Sequence, residues 1–261
     1  MIDPSHPFDA IFIVPILNLL VFFYTIFLAI KLPGAFGFAI IALTVLVRLI
    51  LHPLFQKQLH TAKKMQELKP HLDRLSTKHK QDPKTLQQQQ LKLYQEAGIN
   101  PASGCVFLII QIPIFIALYR ALQFFLTGEN MKLAITSFNK MLYFPFLKIA
   151  SIDPQFFGFN LALTPAQAGQ WYYYLIPVIT GFLQYYQVAV SVPKQQEGLV
   201  KKDESQKSTT GEDFQKAMNT QMKYIFPILI GWFSFQFPVG LSLYWNIFSI
   251  FSIMQYKQMQ K

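Results

Sequence analysis

The chain has 261 residues, 52% of them hydrophobic and 16% aromatic but only 14% charged, with 23 Lys and Arg against 13 Asp and Glu for a formal net charge of +10. Soluble domains carry about 25% charged residues, so this balance and the positive mean hydropathy exclude an ordinary soluble enzyme and mark a polytopic membrane protein. Basic residues accumulate in cytoplasmic loops of such proteins, so the net charge does not point to specific nucleic acid, and a single cysteine, Cys105, excludes a disulfide framework and any cysteine-built zinc site.

Residues 1–33 read as an outer amino-terminal segment. Its opening, MIDPSHPFD, holds two Asp and no Lys or Arg, which is not the start of a cleavable signal. The uncharged run 11–30, IFIVPILNLLVFFYTIFLAI, is long enough to span, yet Pro15, Asn18, Tyr24 and Thr25 weaken that signal. Two readings stay open on the residues alone: a sixth crossing, or a helix lying in the interface.

Residues 34–55 form the first secure transmembrane helix, and they place Arg48 within an apolar run. An arginine near the centre of such a helix costs about 2.5–3.5 kcal/mol on insertion scales, so it is expected to have a function. Thr44, Arg48 and His52 are spaced by four and share one helix face.

Residues 56–103 read as a cytoplasmic helical hairpin. Between Gln56 and Asn100 there are nine basic residues against four acidic ones, with Lys57, Lys63, Lys64, Lys69, Arg74, Lys78 and Lys80 on its first arm and turn. Met65, Leu68, Leu72 and Leu75 give that arm an apolar stripe, a turn is expected from His79 to Pro83, and a second helix ends at Gly98. Residues 104–127 are the second transmembrane helix, with Gln111 on one face. Arg120 lies about 180° away, nearer the outer end, where it is expected to snorkel outward.

An extracytoplasmic connection, 128–169, leads to the third transmembrane helix, 170–192, which opens with WYYY as an aromatic belt. A polar cytoplasmic loop at 193–218 precedes the fourth and fifth transmembrane helices, 219–237 and 239–256, and 257–261 form a cytoplasmic tail. The 193–217 stretch holds five basic residues, the 128–169 connection three, and the amino terminus before Lys31 none, which places the amino terminus outside and the carboxyl terminus in the cytoplasm. The fold class is therefore an all-α polytopic membrane protein.

No Asp or Glu falls within any of the five spans. Arg48 must be met by hydroxyls, amides, carbonyls or water, which implies a hydrated cavity reaching into the membrane. Ser242, Asn246 and Ser249 form a polar stripe on the last helix, and Gln111, Gln184 and Gln187 add amides, although each also suits plain helix–helix contact. HExxH, GxSxG and Walker sequences are absent and the five histidines are scattered, so neither bond-making catalysis, a metal nor a cofactor is expected.

The ordered stretches GAFGFAIIALTVLVRLILHPLFQKQ, KKMQELKPHLDRL, LKLYQEAGINPASGCVFLIIQIPIFIALYRAL, FFGFNLA and FPVGLSLYWNIFSI cover nearly the whole chain and resemble the YidC/Oxa/Alb family of membrane protein insertases. The resemblance implies a five-span core with a hydrophilic groove open to cytoplasm and lipid, an interfacial helix over 11–30, and an arginine at Arg48 that attracts acidic client segments. It also implies a groove-lining hydroxyl at Thr44, client-facing aromatics at Tyr244 and Trp245, and a hairpin that receives clients. The implied partners are nascent membrane-protein clients and the lipid bilayer, with the ribosome and a Sec-type translocon left open, since the tail after Tyr256 is only KQMQK. The implied location is the bacterial inner membrane, and the large extracytoplasmic domain of Gram-negative members is missing, as in a minimal version. A small-anion transporter or channel subunit, and an assembly chaperone without translocation activity, are the alternatives.

Overall fold

Prolines decide where the apolar runs become helices. The computed structural model describes residues 4–79, 82–98, 112–120, 135–136, 138–191 and 221–259, and these are mostly helical. Helix α1 (Asp9–Ala29) starts with a π turn over Asp9–Ile13, just ahead of Pro15, which lacks the N–H an α-helical turn would use. After a turn with positive φ at Lys31 and Gly34 comes α2 (Ala35–Ile50). Pro53 interrupts the backbone ladder, and α3 (His52–Glu67) leaves α2 at a 57° bend. The hairpin continues with α4 (Lys69–Lys78) and α5 (Pro83–Glu96), the latter capped by Asp82, whose carboxylate accepts from the Thr85 N–H at 3.2 Å and its hydroxyl at 2.6 Å. Those bonds hold the exposed Asp82 carboxyl below its ordinary pKa.

Helix α6 covers residues 112–120. A two-residue antiparallel hairpin, Gln155–Phe156 with Phe159–Asn160, and a one-turn helix over Pro165–Ala168 follow. Helix α7 (Leu175–Ser191) enters through a 3-10 turn at Trp171–Tyr174. Helix α8 (Phe226–Gln236) follows a second π turn, again directly ahead of a proline, Pro227, and α9 (Val239–Met259) closes the chain.

Side-chain contacts fix the directions of the helices. The α2 residues Arg48 and Phe55 just beyond it meet Phe248, Ser252 and Tyr256 of α9, so both helices run the same way. Thr180 of α7 lies level with Ser242 of α9, and Tyr186 with Lys257, so α7 shares that direction. In α6, Phe115 stacks on Trp245 at 5.2 Å and Tyr119 meets Phe237 at 5.2 Å, and in α8 Ser234 pairs with the start of α9; both run the opposite way. Gly181 and Gly231 let α7 and α8 touch backbone to backbone, since a Cβ on Gly231 would lie 3.3 Å from the Pro177 carbonyl.

One end of the bundle is covered by the 138–170 connection. Val239 and Gly240 donate to the carbonyls of Leu163 and Leu161, and Phe156 packs so tightly on α2 that a Cβ at Gly37 would overlap its ring. Helix α1 is tied to this same end along its whole length. Asp9 pairs with Arg120, Asn18 bonds the Met141 carbonyl and the Tyr143 N–H, and the Tyr24 hydroxyl accepts from the Asp153 N–H. Its other face leaves Ile11, Phe22, Ile26, Leu28 and Ile30 exposed.

Among the described residues, α1 is the one helix long and apolar enough to cross a bilayer by itself, and the bent α2–α3 pair is a second candidate. Among the described residues α7 has 17 residues and α8 has 11, against the roughly 20 a crossing needs. Helix α9 has 21 residues, but its serines, Asn246 and Gln255 dilute its apolarity.

Candidate functional site: a buried arginine on a polar seam

Arg48 is 4% exposed, on the α2 face turned to α9. Its Nη2 donates to Ser252 Oγ and, at 3.0 Å, to the Phe248 carbonyl. The guanidinium carbon lies 3.6 Å from the centroid of the Phe248 ring and 5.0 Å from that of Phe55. Ser252 spends its own proton on the Phe248 carbonyl at 3.0 Å, so its lone pairs face the arginine. No carboxylate among the described residues pairs with Arg48, and Arg48 Nε is buried without a hydrogen-bond partner there. No described carboxylate thus offsets its charge.

One turn on, His52 sits between two amides: Nδ1 is 2.9 Å from Gln255 Nε2, and Nε2 is 2.9 Å from Gln56 Nε2. Thr44, 1% exposed, turns its hydroxyl back onto the Ile40 carbonyl at 2.7 Å. The α9 face that meets α2 is therefore Phe248, Ser252 and Gln255, an i, i+4, i+7 set. Sequence reasoning missed Ser252 and Gln255 because it followed the neighbouring stripe; four-then-three spacing from Phe248 would have found them.

The stripe Ser242, Asn246 and Ser249 lies on another face of α9, and its Ser242 meets α8. Ser242 joins a hydroxyl chain, 2.7 Å from Ser234, which is 3.3 Å from Thr180. Thr180, Gln184 and Gln187 repeat the same i, i+4, i+7 spacing on α7, so two polar ladders run side by side along parallel helices. The first rung is closed by protein bonds. Gln187 Oε1, Asn246 Oδ1, Ser249 Oγ and Gln255 Oε1 are buried with no partner among the described residues. Buried polar atoms are almost always satisfied, which sets these four apart from the closed Thr180–Ser234–Ser242 chain.

Tyr244 and Trp245 are buried, at 3% and 9% exposure, and Trp245 stacks flat on Phe115. On the hairpin, Lys57, Lys63, Arg74 and Lys78 are exposed and Lys64 is half-buried, whereas Gln111, Lys80 and the Lys69 side chain lie outside the described residues. Arg120 does not simply snorkel outward. Its Nη1 donates to Asp9 Oδ1 at 2.9 Å, and that carboxylate is 4% exposed. Separation in sequence hid this pair, since Asp9 precedes the apolar run. Among the described residues no three His, Cys, Asp or Glu side chains gather as metal ligands.

The sequence matches the family of the 60Kd inner membrane protein over residues 26–261. It is 34% identical to an inner membrane ALBINO3-like protein 2 of Chlamydomonas reinhardtii over 86% of the chain and 50% of that protein. It is 32% identical to the membrane protein insertase YidC of Aquifex aeolicus over 85% of the chain and 34% of that protein. It is 30% identical to the membrane protein insertase MisCA of Bacillus subtilis over 97% of the chain and 79% of that protein. The chain thus spans half or less of two of these relatives and most of the third. With its match across nine-tenths of its length and its insertase relatives, the chain belongs to the 60Kd inner membrane protein family.

Proposed function

We propose that the protein is a membrane protein insertase: it receives short polar segments of membrane-protein clients at the Arg48 seam and lets the client helix pass into lipid. The observation that carries this reading is a buried arginine met, among the described residues, only by a hydroxyl, a carbonyl and two ring faces, beside a ladder of polar atoms with no partner among those residues. A client carboxylate brought to 4 Å gains roughly 4 kcal/mol at an effective dielectric near 20. A hydrogen bond from a charged group contributes about 1.5–3 kcal/mol, so the carboxylate displaces the neutral partners. Burying an apolar client helix at about 25 cal/mol per Å² then supplies the driving force, and no nucleotide or covalent step is needed.

In this proposal α2, α6, α7, α8 and α9 are the five spans, extended by the flanking turns, and their alternating directions support it. The helix α1 lies in the outer interface. Asp9, Asn18 and Tyr24 span roughly 22 Å of helix, nearly the depth of a hydrocarbon core, yet all three bond to the same end of the bundle. The amino terminus is outside, the hairpin of α3–α5 is cytoplasmic and catches clients through its exposed Lys57, Lys63, Arg74 and Lys78, and the protein resides in the inner membrane. The test is reconstitution of the full chain in liposomes with a small single-span client. Insertion above that of protein-free lipid is expected; insertion at the lipid background refutes the reading, and anion flux in its place would favour a transporter.

A further inference from the structure

Among the described residues Arg48 has only neutral partners, and one of them is placed for exchange. Ser252 lies on α9 one turn beyond Phe248, the nearby Ser249 is 1% exposed, and its own surface is closed entirely. Its proton goes to the Phe248 carbonyl, which also accepts from Arg48, so the hydroxyl cannot rotate freely and offers the arginine an oxygen lone pair where a carboxylate oxygen would otherwise sit. The two rings hold the guanidinium by its face, leaving its edge, including the unpartnered Nε, for acceptors.

We propose that Ser252 is the specificity-determining residue of this site: a stand-in acceptor that seats Arg48 while leaving it charged, and that an acidic client segment displaces. A carboxylate at this position would neutralise the site permanently, and a missing oxygen would leave the edge of the guanidinium hungrier for a client. Ser252 is a positioning residue, since it acts through Arg48 and not on the client. This proposal rests on the insertase reading and adds to it the group that sets the preference for acidic segments.

The experiment uses the full chain in liposomes and one single-span client made in two forms, with an acidic or a neutral translocated tail. Ser252→Asp is expected to lower insertion of the acidic form at least tenfold, to the level of Arg48→Ala, and to leave the neutral form within twofold of the unsubstituted protein. Ser252→Asn, of the same size but uncharged, is expected to keep both forms within twofold. Ser252→Ala is expected to raise the ratio of acidic to neutral insertion twofold or more, which also tests the proposal should Ser252→Asp fail to fold. Equal losses with Asp and Asn, or an unchanged ratio with Ala, overturn it. An unsubstituted protein that inserts neither form sinks the insertase reading itself, whereas one that inserts both while Ser252→Asp behaves the same sinks only the role of Ser252.

Discussion

Two arginines lie in the apolar helices, and the molecule treats them in opposite ways. Arg120, half-exposed near the covered end, is given a buried carboxylate at 2.9 Å and so contributes to holding α1 in place. Arg48, buried on the far side, is given a hydroxyl, a carbonyl and two aromatic faces, which satisfy its geometry but not its charge. The difference separates structure from function. A neutralised pair has finished its electrostatic work inside the fold, while a cation satisfied only by dipoles still attracts an anion from outside it.

The contrast makes the two positions respond differently to the same substitution. Arg120→Met leaves the Asp9 carboxylate buried without this partner, and removing one member of a buried pair costs about 3–5 kcal/mol, reduced here to about 2 by the exposure of Arg120. A lowered thermal midpoint is expected, with most of it restored in Asp9→Asn/Arg120→Met; a double variant no better than the single one breaks the comparison. Arg48→Met takes away a buried charge and fills its space, so its midpoint is expected to move by less than that of Arg120→Met even as insertion of acidic clients fails.

Smaller effects sharpen the picture of the covered end. Gly37→Ala pushes a methyl group into the Phe156 ring, at an expected cost of about 1–3 kcal/mol, and Phe156→Ala in the same protein should relieve the clash. Ser234→Ala removes the middle hydroxyl between Thr180 and Ser242, and a loss of about 1 kcal/mol is expected in a denaturation series. The smallest effect concerns the hairpin. Because the folded Asp82 carboxyl titrates below its unfolded value, its contribution to α5 is fully present above the ordinary carboxylate range and is lost as pH falls through the lowered folded value. Amide exchange in α5 should quicken only in that acid window, and Asp82→Ala should abolish the pH dependence.

Local sequence signals read well wherever a single segment decides the outcome. The apolar runs, the turn before Pro83, the helix end at Gly98 and the spacing of Thr44, Arg48 and His52 needed no tertiary information. The partners of Arg48 did not follow from spacing, because α9 carries two polar faces and only packing against α2 and α8 decides which serves which. Ser242 lies about 80° from Ser252 around α9, enough to send one hydroxyl to α8 and the other to the arginine. The Asp9–Arg120 pair joins residues 111 apart, a distance over which periodicity carries no signal. Within the apolar runs, Pro53, Pro177 and Pro227 stand at or next to a bend, a 3-10 turn and a π turn, details that hydropathy does not carry.

The most direct test of the central claim, that Arg48 keeps an uncompensated charge for a client, is insertion of a single-span client with an acidic or a neutral tail by liposomes holding the unsubstituted protein, Arg48→Lys or Arg48→Ala. Arg48→Ala should cut insertion of the acidic form at least tenfold, equivalent to about 1.4 kcal/mol, and affect the neutral form far less, with Arg48→Lys in between. Equal losses for both tails would contradict the account.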